Sequence, residues 1–379
     1  MIDLKFWRPK EKYLLIDIAP QKTRGLLLGL DKDKNLTLEK IWAEFPLETW
    51  HNSKITKLRK RNMIVSADPS LAVAVSYPIE MKRAPDDHTK QLNMVELDNL
   101  LSQAIGKGFG PERAEAARRL GLHELDTVLV NAEVDNFKID GHYVVNPLSF
   151  PGKVVGAVMR LTFTARPVFD YLKYFFGSGD GFFFTSEARA GLFSLAKIQQ
   201  PPVNLAIIGS GGVSCFSLEK SAWGNVVYEE KFDWRHNSLI DSIISAFHVG
   251  QESAELIYRK YLSGDISESF KKFMDRILKP EVSNFLNGLK SSRLKGQTFF
   301  HSLLPLPIDT PLNYGRFTLH DLPAREAFDK FGFGLDFADW PMPPNEIFMR
   351  LAPFFEFYYD KRDSEINHHL RRRIHWLVQ

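Results

Sequence analysis

The sequence lacks the features that define several large protein classes. Its single cysteine, Cys215, excludes an intramolecular disulfide framework and fits a reducing compartment. No apolar run approaches the ~18 residues that a membrane-spanning helix needs, and residues 1–10 lack the apolar centre of a signal peptide. We therefore expect a cytoplasmic protein without a transmembrane segment.

The protein also carries little net charge. The formal charge is +3 at pH 7, too small for the electrostatic footprint of a nucleic-acid-binding protein. The charge is unevenly placed, because residues 361–379 carry five basic and two acidic side chains, a surplus of +3. The remainder of the chain is therefore close to neutral.

Phenylalanine, in contrast, is abundant. The chain has 30 Phe among 379 residues, which we interpret as core filling. The length predicts two or three domains, and a composition of 44% hydrophobic and 25% charged residues is that of a soluble globular protein.

Two strand-turn-strand elements are the first candidates for a functional site. They span residues 17–23 and 207–213, and each places a turn between two apolar strands. The free backbone N–H groups of such turns can bind phosphate oxygens. Two turns that face each other across a cleft would bind a nucleotide; the alternative is that both are structural hairpins.

These motifs resemble, in order and spacing, the actin-like ATPases, and most closely the bacterial cell-division family FtsA. Asp17, followed by Lys22 and Thr23, resembles the first phosphate motif of that family, and residues 209–213 resemble the second. Residues 133–152 resemble a stretch of the subdomain that is inserted in FtsA proteins.

The same resemblance extends to the helical part of the base pocket, at Glu255 and Tyr258. It implies ATP and Mg as cofactors. The nucleotide-binding residues that it implies are Asp17, Ala19, Lys22, Thr23, Gly209, Ser210, Gly211, Gly212, Glu255 and Tyr258.

Several positions depart from the family pattern. Ile207 stands where the second phosphate motif begins with Asp, and no Asp or Glu occurs between Ala188 and Leu218. Pro20 removes a donor N–H from the first turn. Tyr258 replaces a Lys of the base pocket, and residues 298–313 lack the glycines of the adenosine motif. Because phosphoryl transfer needs a positioned metal ion and phosphate-binding groups, we expect weak or absent hydrolysis and assign neither catalytic residues nor metal ligands.

The end of the chain has the pattern of an amphipathic helix. Apolar residues recur at helical spacing beside a basic run, as in helices that bind the surface of a membrane, and FtsA proteins end in such a helix. The residues predicted to bind the membrane are Ile366, Leu370, Arg371, Arg372, Arg373, Ile374, Trp376, Leu377 and Val378. The alternative is a terminal helix that docks on the body of the protein.

We therefore expect an α/β protein with an actin-like (ribonuclease H-like) two-lobed fold, an FtsA-type (SHS2) inserted subdomain and a C-terminal amphipathic helix. Within the subdomain, the glycines at 106, 108 and 110 are predicted to end one helix before Pro111 begins another. The predicted boundaries are 1–84 and 166–200 for lobe I, completed by 346–360, then 85–165 for the subdomain, 201–345 for lobe II and 361–379 for the helix.

The resemblance implies a membrane tether for filaments of the tubulin-like FtsZ, on the inner face of the cytoplasmic membrane. Such a protein would self-associate into filaments and recruit other divisome proteins through the inserted subdomain. Arg259, Lys260, Lys271 and Lys272 are the residues predicted to bind the acidic FtsZ C-terminal tail. Two alternatives share the fold: an adaptor like the pilus-assembly protein PilM, which binds a peptide of a membrane partner, and an active actin-fold ATPase or kinase.

The C-terminal pattern generates a prediction about lipid binding. We expect Trp376→Glu to abolish co-sedimentation of the full chain with anionic liposomes, because a charge at the apolar boundary opposes insertion. Unchanged co-sedimentation would mean that this helix docks on the protein.

Overall fold

A computed structural model describes residues 11–45, 62–176, 182–209, 211–222, 224–302, 304–359, 366–367 and 369–370. In these ranges the strands form three β-sheets. No helix within them has both the length and the apolar composition needed to cross a membrane.

The first sheet is built around a central strand that is buried on both faces. Its members are β1 (Glu11–Ile18), β2 (Thr23–Leu30), β3 (Leu36–Trp42), β4 (Met63–Ala67) and β9 (Phe183–Ser186). The strand order is β3-β2-β1-β4-β9. β1 is antiparallel to β2 and parallel to β4, and its apolar run from Tyr13 to Ile16 is buried, as a central strand requires.

The second sheet repeats this arrangement. Its members are β10 (Val203–Gly209), β11 (Gly212–Ser221), β12 (Gly224–Phe232), β13 (Gly296–Ser302), β14 (Leu312–Asn313) and β15 (Phe317–Asp321). The order is β12-β11-β10-β13-β15-β14. As in the first sheet, three successive strands, β10 to β12, are antiparallel, and β10 is followed on its other side by two parallel strands, β13 and β15. β14 is an added edge strand, antiparallel to β15. This duplicated topology is the two-lobed actin-like fold, and it confirms the predicted fold class.

The helices cover both sheets and fill the space between them. They are α2 (Arg166–Phe176), α3 (Glu187–Ile198), α4 (Asn237–Phe247), α5 (Gln251–Ser263), α6 (Glu268–Ser291), α7 (Ala324–Phe331) and α8 (Pro344–Tyr359). One apolar cluster joins Leu15 of the first sheet, Leu205 of the second, Leu192 of α3 and Phe355 of α8. Both lobes therefore pack on α3 and α8.

The inserted subdomain has its own sheet and its own core. It contains β5 (Ala72–Lys82), α1 (Met94–Leu120), β6 (Thr127–Ile139), β7 (His142–Tyr143) and β8 (Val154–Ala165), in the order β5-β8-β6-β7. β5 pairs with β8 along its whole length, although it precedes the predicted boundary at residue 85. Alternate residues such as Val73 and Val75 pack in the subdomain core.

α1 is continuous where two helices were predicted. It runs through Gly106, Gly108 and Pro111 without a break. A Cβ atom at Gly108 would lie 2.3 Å from the Tyr77 hydroxyl of β5, so this glycine allows the helix to approach the sheet. Burial of the α1 face that includes Leu101 and Ile105 offsets the low helix propensity of glycine and proline.

The described C-terminal residues dock on this subdomain. Ile366 and Leu370 are 6% and 1% exposed and lie in the subdomain core. The side-chain amide of Asn367 accepts a hydrogen bond from the Val134 N–H (2.8 Å) and donates one to the Val134 carbonyl (3.2 Å). Asn367 thus satisfies both backbone groups of Val134 in β6.

These contacts predict the contribution of Asn367 to stability. We expect Asn367→Leu to lower the free energy of unfolding by about 1–3 kcal/mol, because it leaves the buried N–H and carbonyl of Val134 without those partners. Urea unfolding measures this change. The control, Asn287→Ala at an exposed position of α6, should stay within about 0.5 kcal/mol of the wild type; equal effects of both changes would contradict the docking contact.

Candidate functional site

The cleft between the lobes lies where parallel strands of both sheets end. Asp17 is near the end of β1, Asp68 follows β4, Glu187 follows β9, and the turn from Gly209 follows β10. Because the carboxyl ends of parallel strands meet at one edge of a sheet, these residues converge, as ligand-binding residues do in other α/β folds. A cavity of about 90 Å³ separates the turn at Asp68 from the turn at Gly209.

The first predicted phosphate turn is a closed hairpin. The Ala19 N–H donates to the Lys22 carbonyl (3.1 Å), and the Lys22 N–H donates to the Ala19 carbonyl (3.3 Å). Pro20 has no N–H. Gln21 therefore provides the only backbone donor without a partner in this turn, which the structure describes in full, and neither Lys22 nor Thr23 lines the cavity.

The second turn contributes Gly209, Gly211 and Gly212 to the cavity; Ser210 lies outside the described residues. Gly212 has φ +130°, and a Cβ atom there would lie 2.9 Å from the Phe232 carbonyl oxygen. Its conformation and this close approach both require glycine. The sequence motif at Gly212 therefore has a structural reason that does not depend on a nucleotide.

An ion pair occupies the carboxylate of Asp17. The Arg24 guanidinium binds Asp17 directly, and the Ser66 hydroxyl donates to the other carboxylate oxygen at 3.2 Å. Arg24 also lies 3.8 Å from Glu346, which binds Arg350 at 2.7 Å. The carboxylate of the first predicted phosphate motif is therefore part of a network of ion pairs within the protein.

Glu187 and His301 form a second polar contact at the base of the cleft. Glu187 Oε1 lies 3.8 Å from His301 Nε2. Burial raises the pKa of Glu187, as do the nearby carboxylates Asp17 and Asp68. Burial lowers the pKa of His301 to about 3, with a further contribution from the two arginines of the cleft. Burial therefore favours the neutral form of each side chain.

The sequence patterns did not indicate this pair. Glu187 lies just before residues 189–217, the stretch without Asp or Glu. The local signal for Glu187 is its position directly after strand β9 and the helix cap Ser186. No local pattern indicates His301, because it is an interior residue of β13.

The predicted base-pocket residues are not brought to the cavity. Tyr258 is 2% exposed and packs in the lobe II core, where its hydroxyl donates to the Pro305 carbonyl at 2.8 Å. Glu255 lies on the outer side of α5 and forms an ion pair with Arg259 at 3.6 Å. Neither side chain lines the space between the two turns.

The residues predicted to bind a peptide are exposed and lie on two helices. Arg259 and Lys260 lie on α5, and Lys271 and Lys272 on α6. Phe273, 42% exposed, lies beside them in the chain. Of the predicted membrane-binding residues, Ile366 and Leu370 are buried as described above, whereas Arg371, Arg372, Arg373, Ile374, Trp376, Leu377 and Val378 lie outside the described residues.

The cleft residues do not fit a magnesium–nucleotide complex. Asp17 already has a cationic partner, the first turn offers a single free N–H, and the predicted base pocket lies in a core. In addition, nowhere in the described part of the chain do three His, Cys, Asp or Glu side chains group so as to hold a metal ion.

A second, larger cavity lies between the inserted subdomain and lobe II. We call it the β5–β12 slot. Its volume is about 130 Å³. It is lined by Ala72, Ala74 and Ser76 of β5, Leu192 and Phe193 of α3, Phe216 and Leu218 of β11, and Asn225, Val227 and Glu229 of β12, together with Arg119, Arg160 and the buried Arg189. The small side chains of β5 create the space.

Direct contacts hold the two walls of the slot together. Lys138 Nζ and the Tyr143 hydroxyl of the subdomain both donate to the Ala222 carbonyl of lobe II, at 2.6 and 2.8 Å. Arg119 of α1 forms an ion pair with Glu229 of β12 at 3.4 Å. These contacts between the subdomain and lobe II therefore hold the two sides of the slot in place.

Comparisons with known proteins give similarities to solved structures alone. No protein-family model matches the sequence, and no curated protein matches it either. Among solved structures, the chain is similar to a PilM–PilN type IV pilus biogenesis complex, with 13% identity, 97% of this chain and 99% of that chain covered, and a TM-score of 0.43.

Two further structures are similar at lower scores. A Bacteroides thetaiotaomicron protein with an actin-like ATPase fold and unknown function has 8% identity, with 80% and 86% of the chains covered and a TM-score of 0.32. The activator of the 2-hydroxyisocaproyl-CoA dehydratase from Clostridium difficile, with bound ADPNP, has 8% identity, coverage of 93% and 98%, and a TM-score of 0.28. These similarities concern the fold alone.

The cleft geometry predicts the outcome of an ATPase assay. We expect the full chain to release phosphate from Mg-ATP no faster than a buffer control, because Asp17 is paired and the phosphate turn is closed. Asp17→Asn should give the same rate. A clear magnesium-dependent rate that this substitution lowers would contradict the description of the cleft.

Proposed function

We propose that this chain is a non-hydrolysing actin-fold adaptor, like the pilus-assembly protein PilM, that binds an extended segment of a partner protein in the β5–β12 slot. The slot is the observation that carries the proposal. It combines an apolar lining with a few charged groups, which is the composition of sites that bind specific ligands. Its volume of about 130 Å³ suits a few side chains of a peptide.

The strand edges beside the slot support binding of an extended chain. β5 is the outer strand of the subdomain sheet, and β12 is the outer strand of the lobe II sheet. Neither has a second partner strand among the described residues. An incoming segment can therefore add to one of these edges through backbone hydrogen bonds while its alternate side chains enter the slot.

The charges around the slot favour a segment with an acidic residue. Arg119 and Arg160 are each 20% exposed at the side chain, so they remain partly accessible. The slot carboxylates Glu229 and Glu356 are 4% and 0% exposed. Among the charged residues that line the slot, the accessible ones are basic, so electrostatic complementarity favours an acidic side chain at the rim. Such a side chain would compete with Asp135 for Arg160 and with Glu115 for Arg119.

A second candidate is the FtsA-type division protein. The exposed basic residues of α5 and α6, and the half-exposed Phe273 next to Lys272 in the chain, favour it, since such residues would bind the acidic FtsZ C-terminal tail. Filament formation, recruitment of divisome proteins and attachment to the cytoplasmic membrane belong to this candidate. The attachment requires an apolar helix face that includes Ile366 and Leu370, both of which pack in the subdomain core.

Peptide binding separates the two candidates. The probes are overlapping peptides that tile PilN of the solved complex and a peptide of the FtsZ C-terminal tail, with Kd measured by fluorescence anisotropy. We expect at least one PilN peptide to bind, and Ala74→Trp to weaken this binding at least tenfold by filling the slot. Binding of the FtsZ tail that is lost in Lys271→Glu, and not in Ala74→Trp, would favour the division protein.

Ala338→Trp is the matched control, because Ala338 is exposed and distant in the chain from the slot residues. It should leave the affinity for the peptide unchanged. Equal loss in both tryptophan variants, or no binding of any PilN peptide, would contradict the adaptor proposal.

A further inference from the structure

We propose that the guanidinium of Arg24 takes the place of a divalent cation at Asp17, so that this carboxylate is neutralised without a metal ion or a nucleotide. The proposal deepens the interpretation of the chain as a non-hydrolysing adaptor and concerns the cleft, not the slot. It explains why a carboxylate remains at the end of β1 although the phosphate turn is closed.

Local pairing brings the two residues together. Asp17 and Arg24 lie directly opposite each other in the antiparallel register of β1 and β2, so their side chains lie on the same face of the sheet. The mutual hydrogen bonds of Ala19 and Lys22 close the turn between them and fix that register. The cation is thus supplied by the neighbouring strand of the same hairpin.

Burial makes this pair an alternative to a metal ion and not an addition to it. The side chains of Asp17 and Arg24 are 15% and 7% exposed. An unpaired carboxylate in such a place is strongly disfavoured, and Arg24 removes that cost. A magnesium ion at the same carboxylate would lie next to a guanidinium and would be repelled by it.

The groups that face the pair from other elements have partners of their own. Glu346 and Arg350 of α8 form a second ion pair at 2.7 Å, and Glu187 lies against His301. Asp68 is held by its own turn, where its carboxylate accepts from the Ser70 N–H and hydroxyl at 2.8 and 2.6 Å. The guanidinium groups of Arg24 and Arg350 therefore neutralise the carboxylates of Asp17 and Glu346.

The unused donors of this cluster oppose a further cation. Arg24 Nε, Arg350 Nε and Arg350 Nη1 are buried and have no hydrogen-bond partner among the described residues. Because these donors are buried, we expect that phosphate does not reach them either, and inorganic phosphate is included as a probe below.

The test is the melting temperature of the full chain in MgCl₂, in ATP with MgCl₂, in inorganic phosphate, and in NaCl at matched ionic strength. The wild type should show the same melting temperature in all four. Arg24→Ala should melt several degrees lower in NaCl, because Asp17 becomes an unpaired buried charge, and should regain most of that loss in MgCl₂. Arg24→Ala combined with Asp17→Asn should not respond to MgCl₂.

Two further variants complete the design. Arg24→Lys keeps the charge and should remain insensitive to MgCl₂. Lys12→Ala removes an exposed ion pair with Glu39 in the same sheet and should change neither the melting temperature nor its response.

Stabilisation of the wild type by magnesium, ATP or phosphate would overturn the proposal, and so would an Arg24→Ala protein that ignores magnesium. If Arg24→Ala does not fold, the wild-type measurements and Arg24→Lys still decide the question. Peptide affinity is measured separately, so failure here is distinguishable from failure of the adaptor function.

Discussion

Both lobes depend on one apolar core that is built around α8. Phe348, Phe354 and Phe355 are fully buried there, in the same cluster as side chains of both lobe sheets and of α3. Phe355 stacks on Phe331 with a centroid distance of 4.4 Å. Such aromatic pairs contribute ~0.5–1.5 kcal/mol beyond the area that they bury. The abundance of phenylalanine therefore has a structural role, since these side chains fill the core that both lobes share.

Buried charges connect the inserted subdomain to this core. Arg189 of α3 binds Glu356 of α8 at 2.8 Å and also binds Glu133 of β6. The Thr185 hydroxyl donates to Glu356 at 2.5 Å. Breaking a buried pair of this kind costs about 3–5 kcal/mol, because one charge is left without a partner. The network fixes the floor of the β5–β12 slot, and a rigid floor reduces the entropy that binding must lose.

The cleft and the slot have opposite characters, although the same fold builds both. In the cleft, side chains of the protein satisfy one another's charges, and little is left for a nucleotide. In the slot, alanine and serine on β5 leave space between two outer strands. A fold does not determine a function, and here the two-lobed frame supports a surface that an ATPase does not need. The proposed adaptor function follows from that difference.

The sequence by itself determined the features that depend on neighbours along the chain. Apolar runs and short turns predicted the β1–β2 and β10–β11 hairpins, and the resemblance of the motifs predicted the actin-like fold. Tertiary structure alone decided which distant residues meet: Glu187 with His301 in the cleft, and β5 with β12 around the slot. It also kept α1 continuous through Pro111, because packing on β5 outweighs local propensity. The apolar face at Ile366 and Leu370 is the clearest case, since a helical period indicates that one face is apolar but not which surface covers it.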